Sequence, residues 1–270
     1  MQVDAEGTVW RTGTTPLGVA TLALRRDPGG TVHAAGWGPG AAWALDGVPA
    51  LLGADDDDRG FVPHHPLIAQ VRRRMPGLRL GATHRVWDVL LPAVLEQKVT
   101  GVEARRSWRE LCRRFGPQAP GPATLWVPPD PATIQAIPDW EWHRAGVDHS
   151  RRRAVLAAAA VAHRLEGAVN LAGQAGRDLL CKVPGVGIWT AAEVAQRAWA
   201  DADAISVGDF HIPSVVGHAL LGRSLDDAGM LKVLAPYTPQ RQRAVRYIEA
   251  AGVRRPRFGP RLRPRDYRAM

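Results

Sequence analysis

The chain has 270 residues, 46% of them hydrophobic, and 35 Lys plus Arg against 26 Asp plus Glu leave a net charge of +9. That length supports a substantial core, and the positive excess suits a phosphate-bearing partner, although an Arg- and Ala-rich composition alone would also raise it. Two cysteines, Cys112 and Cys181, exclude a four-cysteine iron–sulfur cluster, and the absence of a leader pattern or a long apolar run argues against secretion and membrane spanning.

Both cysteines fall in apolar helical patterns and are expected to be reduced, buried thiols of a cytoplasmic, nucleoid-associated protein. Residues 15–25 alternate and carry Val19, Leu22 and Leu24, and 31–37 form a second short run. Gly29-Gly30 between them predicts a hairpin. A short helix is expected over 41–52, and the aspartates at 55–58 read as a solvated loop. Residues 1–63 are therefore expected to form a small α+β domain.

From Pro66 the pattern is helical. Thr83 is expected to cap a helix whose buried face is Trp87, Leu90, Leu91, Val94 and Leu95, with a kink at Pro92. Thr100 and Glu103 have the spacing of a capping box for a helix that stops at Gly116. Asp130-Pro131 and Asp139 start short helices. An Ala-rich helix is expected over 150–165, led by Arg151, Arg152 and Arg153. Cations there oppose the helix dipole, so a solvated face competes with a DNA contact as the explanation. Ser224 with Asp227 reads as another capping box, and Pro239 opens the last helix. Residues 253–270 read as a basic, disordered tail.

The most informative stretch is Leu180-Cys181-Lys182-Val183-Pro184-Gly185-Val186-Gly187-Ile188-Trp189-Thr190. A helix ends, a Pro-Gly-x-Gly turn follows, and a second helix starts near Gly187. Glycine at 185 and 187 permits positive φ and close approach. The turn also leaves backbone N–H groups at a helix N-terminus, which is a phosphate site that reads no sequence. Downstream, a loop delivers Asp209 to the start of a helix marked by Ile212, Val215, Val216, Ala219 and Leu220. Alone, such an aspartate reads as an N-cap. After a hairpin in a basic helical region it reads as a catalytic carboxylate.

These elements, in this order, resemble the helix-hairpin-helix DNA glycosylases, and within them the 3-methyladenine DNA glycosylase II branch. The resemblance covers about residues 64–252. It rests on His65-Pro66-Leu67, Arg79-Leu80, Leu95-Glu96-Gln97-Lys98-Val99, the hairpin, Asp209 and Pro236-Tyr237-Thr238-Pro239. It implies a mostly α fold, with two helical subdomains flanking a cleft, and a small antiparallel sheet domain in front. That domain reads as shortened, with too few residues before Thr15 for the opening strands.

Further expectations follow from the resemblance. The enzyme would release an alkylated base flipped out of double-stranded DNA, as a monomer, with Asp209 as catalytic residue. Trp189, Tyr237 and Glu193 would line the base pocket, although Glu193 also reads as solvated. Gln97, Lys98, Thr100, Val183, Gly185, Val186, Gly187, Thr190 and His211 would meet the DNA, with Lys98 where relatives insert a wedge. Carbonyls of Cys181 and Val183 would hold a monovalent cation, and no other cofactor is implied. Strand-cutting relatives carry a lysine where Trp189 stands, so no lyase activity is expected. A non-catalytic DNA-binding protein with the same hairpin is the alternative.

Overall fold

Alternation between 18 and 26 produces the central strand of a four-stranded antiparallel sheet, in the order β1 (Gln2–Val3), β2 (Val9–Thr15), β3 (Gly18–Arg26) and β4 (Val32–Trp37). The structure is a computed structural model that describes residues 1–253. The sheet is more complete than its sequence predicts, because β1 and β2 both lie at or before Thr15. Short strands pair here through local register, Val3 opposite Val9 and Trp10 opposite Ala23. Ala20, Leu22 and Leu24 pack on Ala44 and Val48. These belong to α1 (Ala41–Asp46) and α2 (Val48–Leu51), which divide the single helix expected over 41–52 at Gly47. The 27–31 turn closes as expected, with Gly30 at φ +92°.

The helices then run as α3 (Pro66–Arg74), α4 (Val86–Leu95), α5 (Gly101–Phe115), α6 (Pro131–Ala136), α7 (Asp139–Arg144), α8 (His149–Ala160) and α9 (Ala162–Leu165). After them come α10 (Ala168–Leu171), α11 (Gly173–Cys181), α12 (Ile188–Ala198), α13 (Ile212–Leu221), α14 (Asp227–Leu234) and α15 (Arg241–Ala250). The capping box at Thr100 and Glu103 forms with both of its bonds. Pro92 lies within α4, which continues to Leu95. Other helix starts differ from expectation. Arg85, not Thr83, precedes α4; Pro138 precedes α7, with Asp139 inside it; and Asp226 caps α14 in place of Ser224. In each case a neighbouring residue has the extended backbone that a cap requires.

Two apolar cores organise the helices. The first joins α4 to α5, α7, α8, α9, α11 and α12 through residues such as Leu90, Leu111, Trp142, Val155, Leu165, Leu180 and Val194. The second brings α3, which is early in the chain, against α13, α14 and α15 through Ile68, Val216, Met230, Leu234 and Tyr247. Each fully buried Leu or Ile stabilises by roughly 1.5–3 kcal/mol.

The 55–58 loop is not merely solvated. Asp56, with 3% of its side chain exposed, forms a double ion pair with the fully buried Arg243, and Asp58 meets Arg72. Phe61 packs in the second core, so the segment before residue 64 is built into the helical region. Cys112 is buried as expected, but Cys181 is exposed, since it ends α11 on its outer face. The 150–165 helix is interrupted at Val161. The expected tail largely falls outside the described residues. No helix among the described residues is long and apolar enough to cross a membrane.

Candidate active site

The hairpin rests on α8. At Gly185, φ is +87°, and a Cβ there would lie 2.5 Å from Ala154 Cβ. Val183 and Val186 turn their side chains into the first core, leaving the backbone as their outward surface. No side chain caps α12, whose N-cap is Gly187. Its first N–H groups therefore carry the positive end of the helix dipole toward the surface.

Around the hairpin, side chains that read as DNA contacts are used internally. Gln97 donates its amide N–H groups to Gly185 O at 2.9 Å and Thr190 Oγ1 at 2.8 Å. Thr190 is only 2% exposed, so its side chain is corrected from a DNA contact to a tie between α12 and the 96–100 loop. Thr100 is engaged in its capping box. Arg151, leading α8, is buried and donates to Leu95 O and Gly146 O, both at 2.9 Å, as well as to Asp148. Arg152 pairs with Asp139. Of the expected solvated cluster, Arg151 is thus a brace beneath the loop that carries Lys98, while Arg153 stays exposed; Lys98 itself is exposed at φ +55°.

Asp209 is partly exposed and faces the hairpin side. Its Oδ2 accepts from Trp189 Nε1 at 3.1 Å, while Oδ1 accepts from His211 N at 2.7 Å and Ile212 N at 2.9 Å. One oxygen of the aspartate thus holds the backbone that enters α13, whose N-cap residue is His211. Its loop is pinned from several sides. Gly208, at φ +88°, donates its N–H to Asp227 of α14 at 3.1 Å. Asp203 takes a bidentate contact from Arg241, and Asp201 pairs with Arg177. Sequence reading missed these supports, because Asp227 and Arg241 lie far along the chain from the loop they hold.

Glu193 is corrected from a solvated residue to a held one, with 13% of its side chain exposed. It accepts from Ser206 Oγ at 2.5 Å and from Arg197 at 2.7 Å. Asp209 N donates in turn to Ser206 O, so Glu193 and Asp209 belong to one wall. Glu96, across from them, has its carboxyl pushed upward by burial, opposed by Arg197 and reinforced by Glu193. Tyr237, expected in the pocket, is corrected to a core side chain. It is 5% exposed, stacked on Phe61 and met edge-on by His64. Burial raises its phenol. Phe210, beside the carboxylate, is 75% exposed, with His211 edge-on to it; periodicity gave no cue to this ring.

Among the described residues no group of His, Cys, Asp or Glu is arranged to hold a metal. The carbonyls at the end of α11 are a different donor set. Val183 O accepts from Val186 N at 3.0 Å, which leaves it one further lone pair.

No family model matches this sequence, and no curated relative does. Solved structures do resemble it. A 3-methyladenine DNA-glycosylase from Archaeoglobus fulgidus superposes with TM-score 0.75 at 15% identity, over 91% of this chain and 87% of that one. An 8-oxoguanine glycosylase/lyase from Clostridium acetobutylicum gives 0.72 at 12% identity, over 92% and 87%. A Schizosaccharomyces pombe 3-methyladenine DNA glycosylase, solved with abasic DNA, gives 0.56 at 15% identity, over 69% and 91%. The chain has the fold of the helix-hairpin-helix DNA glycosylases, with the small N-terminal sheet in place.

Proposed function

We propose that this protein is a monofunctional DNA glycosylase, acting as a monomer, that hydrolyses the N-glycosidic bond of an alkylated base flipped out of duplex DNA in base excision repair. The observation that carries the proposal is the setting of Asp209. One oxygen is bound by two backbone N–H groups at the start of α13, and the other by the indole of Trp189 at the start of the hairpin helix. A carboxylate so fixed can face charge that develops on the sugar as the base leaves, and can orient or deprotonate the attacking water.

The surrounding residues suit the remaining steps. The uncapped N–H groups of α12 and the Gly185–Gly187 backbone would bind a phosphate. A cation on the carbonyls of Cys181 and Val183, when bound, would add positive charge against that phosphate. Lys98, exposed at the tip of its braced loop, has a stem long enough to fill the gap left by an extruded base. His211 lies beside this approach. An alkylated purine is cationic, which suits the Trp189 ring and the negative wall of Glu193. Position 189 carries tryptophan rather than an amine, which supports hydrolysis without strand cleavage.

Incubating the protein with alkylated duplex DNA, and measuring released bases by chromatography, tests the reading. Wild type is expected to release base, and Asp209→Asn to slow release by about 100-fold or more while duplex binding persists. Full activity in Asp209→Asn would remove this carboxylate from the mechanism. Duplex binding without base release by wild type would leave a non-catalytic DNA-binding protein.

A further inference from the structure

Helix α5 presents an unusual outer face. Its inner side is taken up by Glu103, Ala104, Ser107, Leu111 and Cys112. On the outer side Arg105, Arg109 and Arg113 follow one another at four-residue spacing, all exposed. Side chains so spaced form a single ridge, and like charges along it repel. Among the described residues none of the three has an ion pair, whereas Arg114 on the same helix pairs with Glu141. Arg113 gains from the helix C-terminus. Arg105 and Arg109 do not. Arg105 is attracted by the Glu96 carboxylate beyond ion-pair distance, and among the described residues no ion pair offsets the charge of the ridge.

The ridge starts at the loop that carries Lys98. From Arg105 to Arg113 the helix advances about 12 Å, at roughly 1.5 Å per residue. Along one strand of B-DNA that distance spans about three or four phosphates. We propose that this face of α5 is a second DNA-contacting surface, which follows the phosphate backbone of the flanking duplex outward from the wedge loop. The inference rests on the DNA-binding reading above but concerns residues outside the hairpin and the base pocket. Guanidinium groups suit the task, since they stay charged and bind phosphate in a fork. Such contacts add affinity without reading sequence, which fits an enzyme that must sample undamaged DNA.

The test uses the full chain and an undamaged duplex, with equilibrium binding measured against salt concentration. The variant is Arg105→Gln/Arg109→Gln/Arg113→Gln, whose exposed positions leave the core untouched. Each lost phosphate contact is expected to reduce the log–log salt slope by about 0.9, so the triple variant should lose about two to three. Its affinity at low salt should fall at least about tenfold. Arg25→Gln/Arg26→Gln, on the N-terminal sheet, should leave the slope unchanged. Base release by the triple variant at saturating protein should match wild type. An unchanged slope in the triple variant, with wild type binding normally, would overturn the α5 surface alone. Failure of wild type to bind any duplex would overturn the underlying DNA reading as well.

Discussion

At position 189 one indole N–H meets the carboxylate on which the proposed chemistry depends. Trp189→Phe keeps most of the ring and deletes that donor, leaving Asp209 Oδ2 without its side-chain partner. A hydrogen bond to a charged group is worth about 1.5–3 kcal/mol. Part of that loss should be recovered by water, so single-turnover base release should slow by about tenfold. Duplex affinity should not change. Equal rates in the two proteins would reduce the indole to packing. Glu193 shows the same principle from the other side. Its two bonds, to Ser206 and Arg197, hold it beside the Asp209 loop, so its carboxylate is fixed in place rather than a mobile surface group.

Two glycines of one hairpin separate folding from binding at the scale of the element. A methyl group at Gly185 would collide with Ala154 and require φ +87° of a residue that resists it. Gly185→Ala should therefore destabilise the fold by about 1–3 kcal/mol, seen as a lower denaturant midpoint. At Gly187 no atom lies within 4 Å of the added carbon, and φ is an ordinary −96°. Gly187→Ala should leave the midpoint nearly unchanged and weaken duplex binding, because the new methyl group stands where a phosphate would approach. Identical losses of stability in both variants would contradict this division. The hairpin itself depends on bracing from elsewhere: Gln97 holds its turn from one side and α8 supports it from beneath, while Arg151 ties α8 to the end of α4.

Across the whole molecule, the sheet and the helical region meet at a small cavity lined by Arg11, Thr14, Trp43, Arg85 and Asp88. Burial pushes the Asp88 carboxyl up to about 6, against the pull of Arg85 and Arg11. Its ordinary value is 3.8, so between about pH 4 and pH 6 the folded protein holds more of this proton than the unfolded chain does. Stability from this group is thus greatest at low pH and falls as pH rises to about 6. Asp88 retains some exposure to the cavity, so a discounted effect of about 1–2 kcal/mol is expected. Urea titrations over that pH range should show a downward trend in wild type that flattens in Asp88→Asn. A wild-type trend that Asp88→Asn leaves intact would assign it to another group.

How far the sequence reached depends on how local each interaction is. The hairpin, the Thr100 capping box, the 27–31 turn and the place of Asp209 before α13 were all legible, because each depends on residues within a few positions of one another. The strands up to Thr15 were not: the two-residue β1 carries no periodicity and forms only against a neighbour, and β2, Val9–Thr15, is mostly polar and offers no apolar alternation beyond its first residues. Asp56 looked like one of several surface aspartates until Arg243, 187 residues away, closed over it. Gln97, Thr190 and Arg151 have side chains that suit DNA equally well, and only tertiary packing turned them inward. By itself the sequence determined which local motifs exist and in what order. The tertiary structure decided which polar groups those motifs use among themselves, because burial and long-range pairing have no signature in adjacent residues.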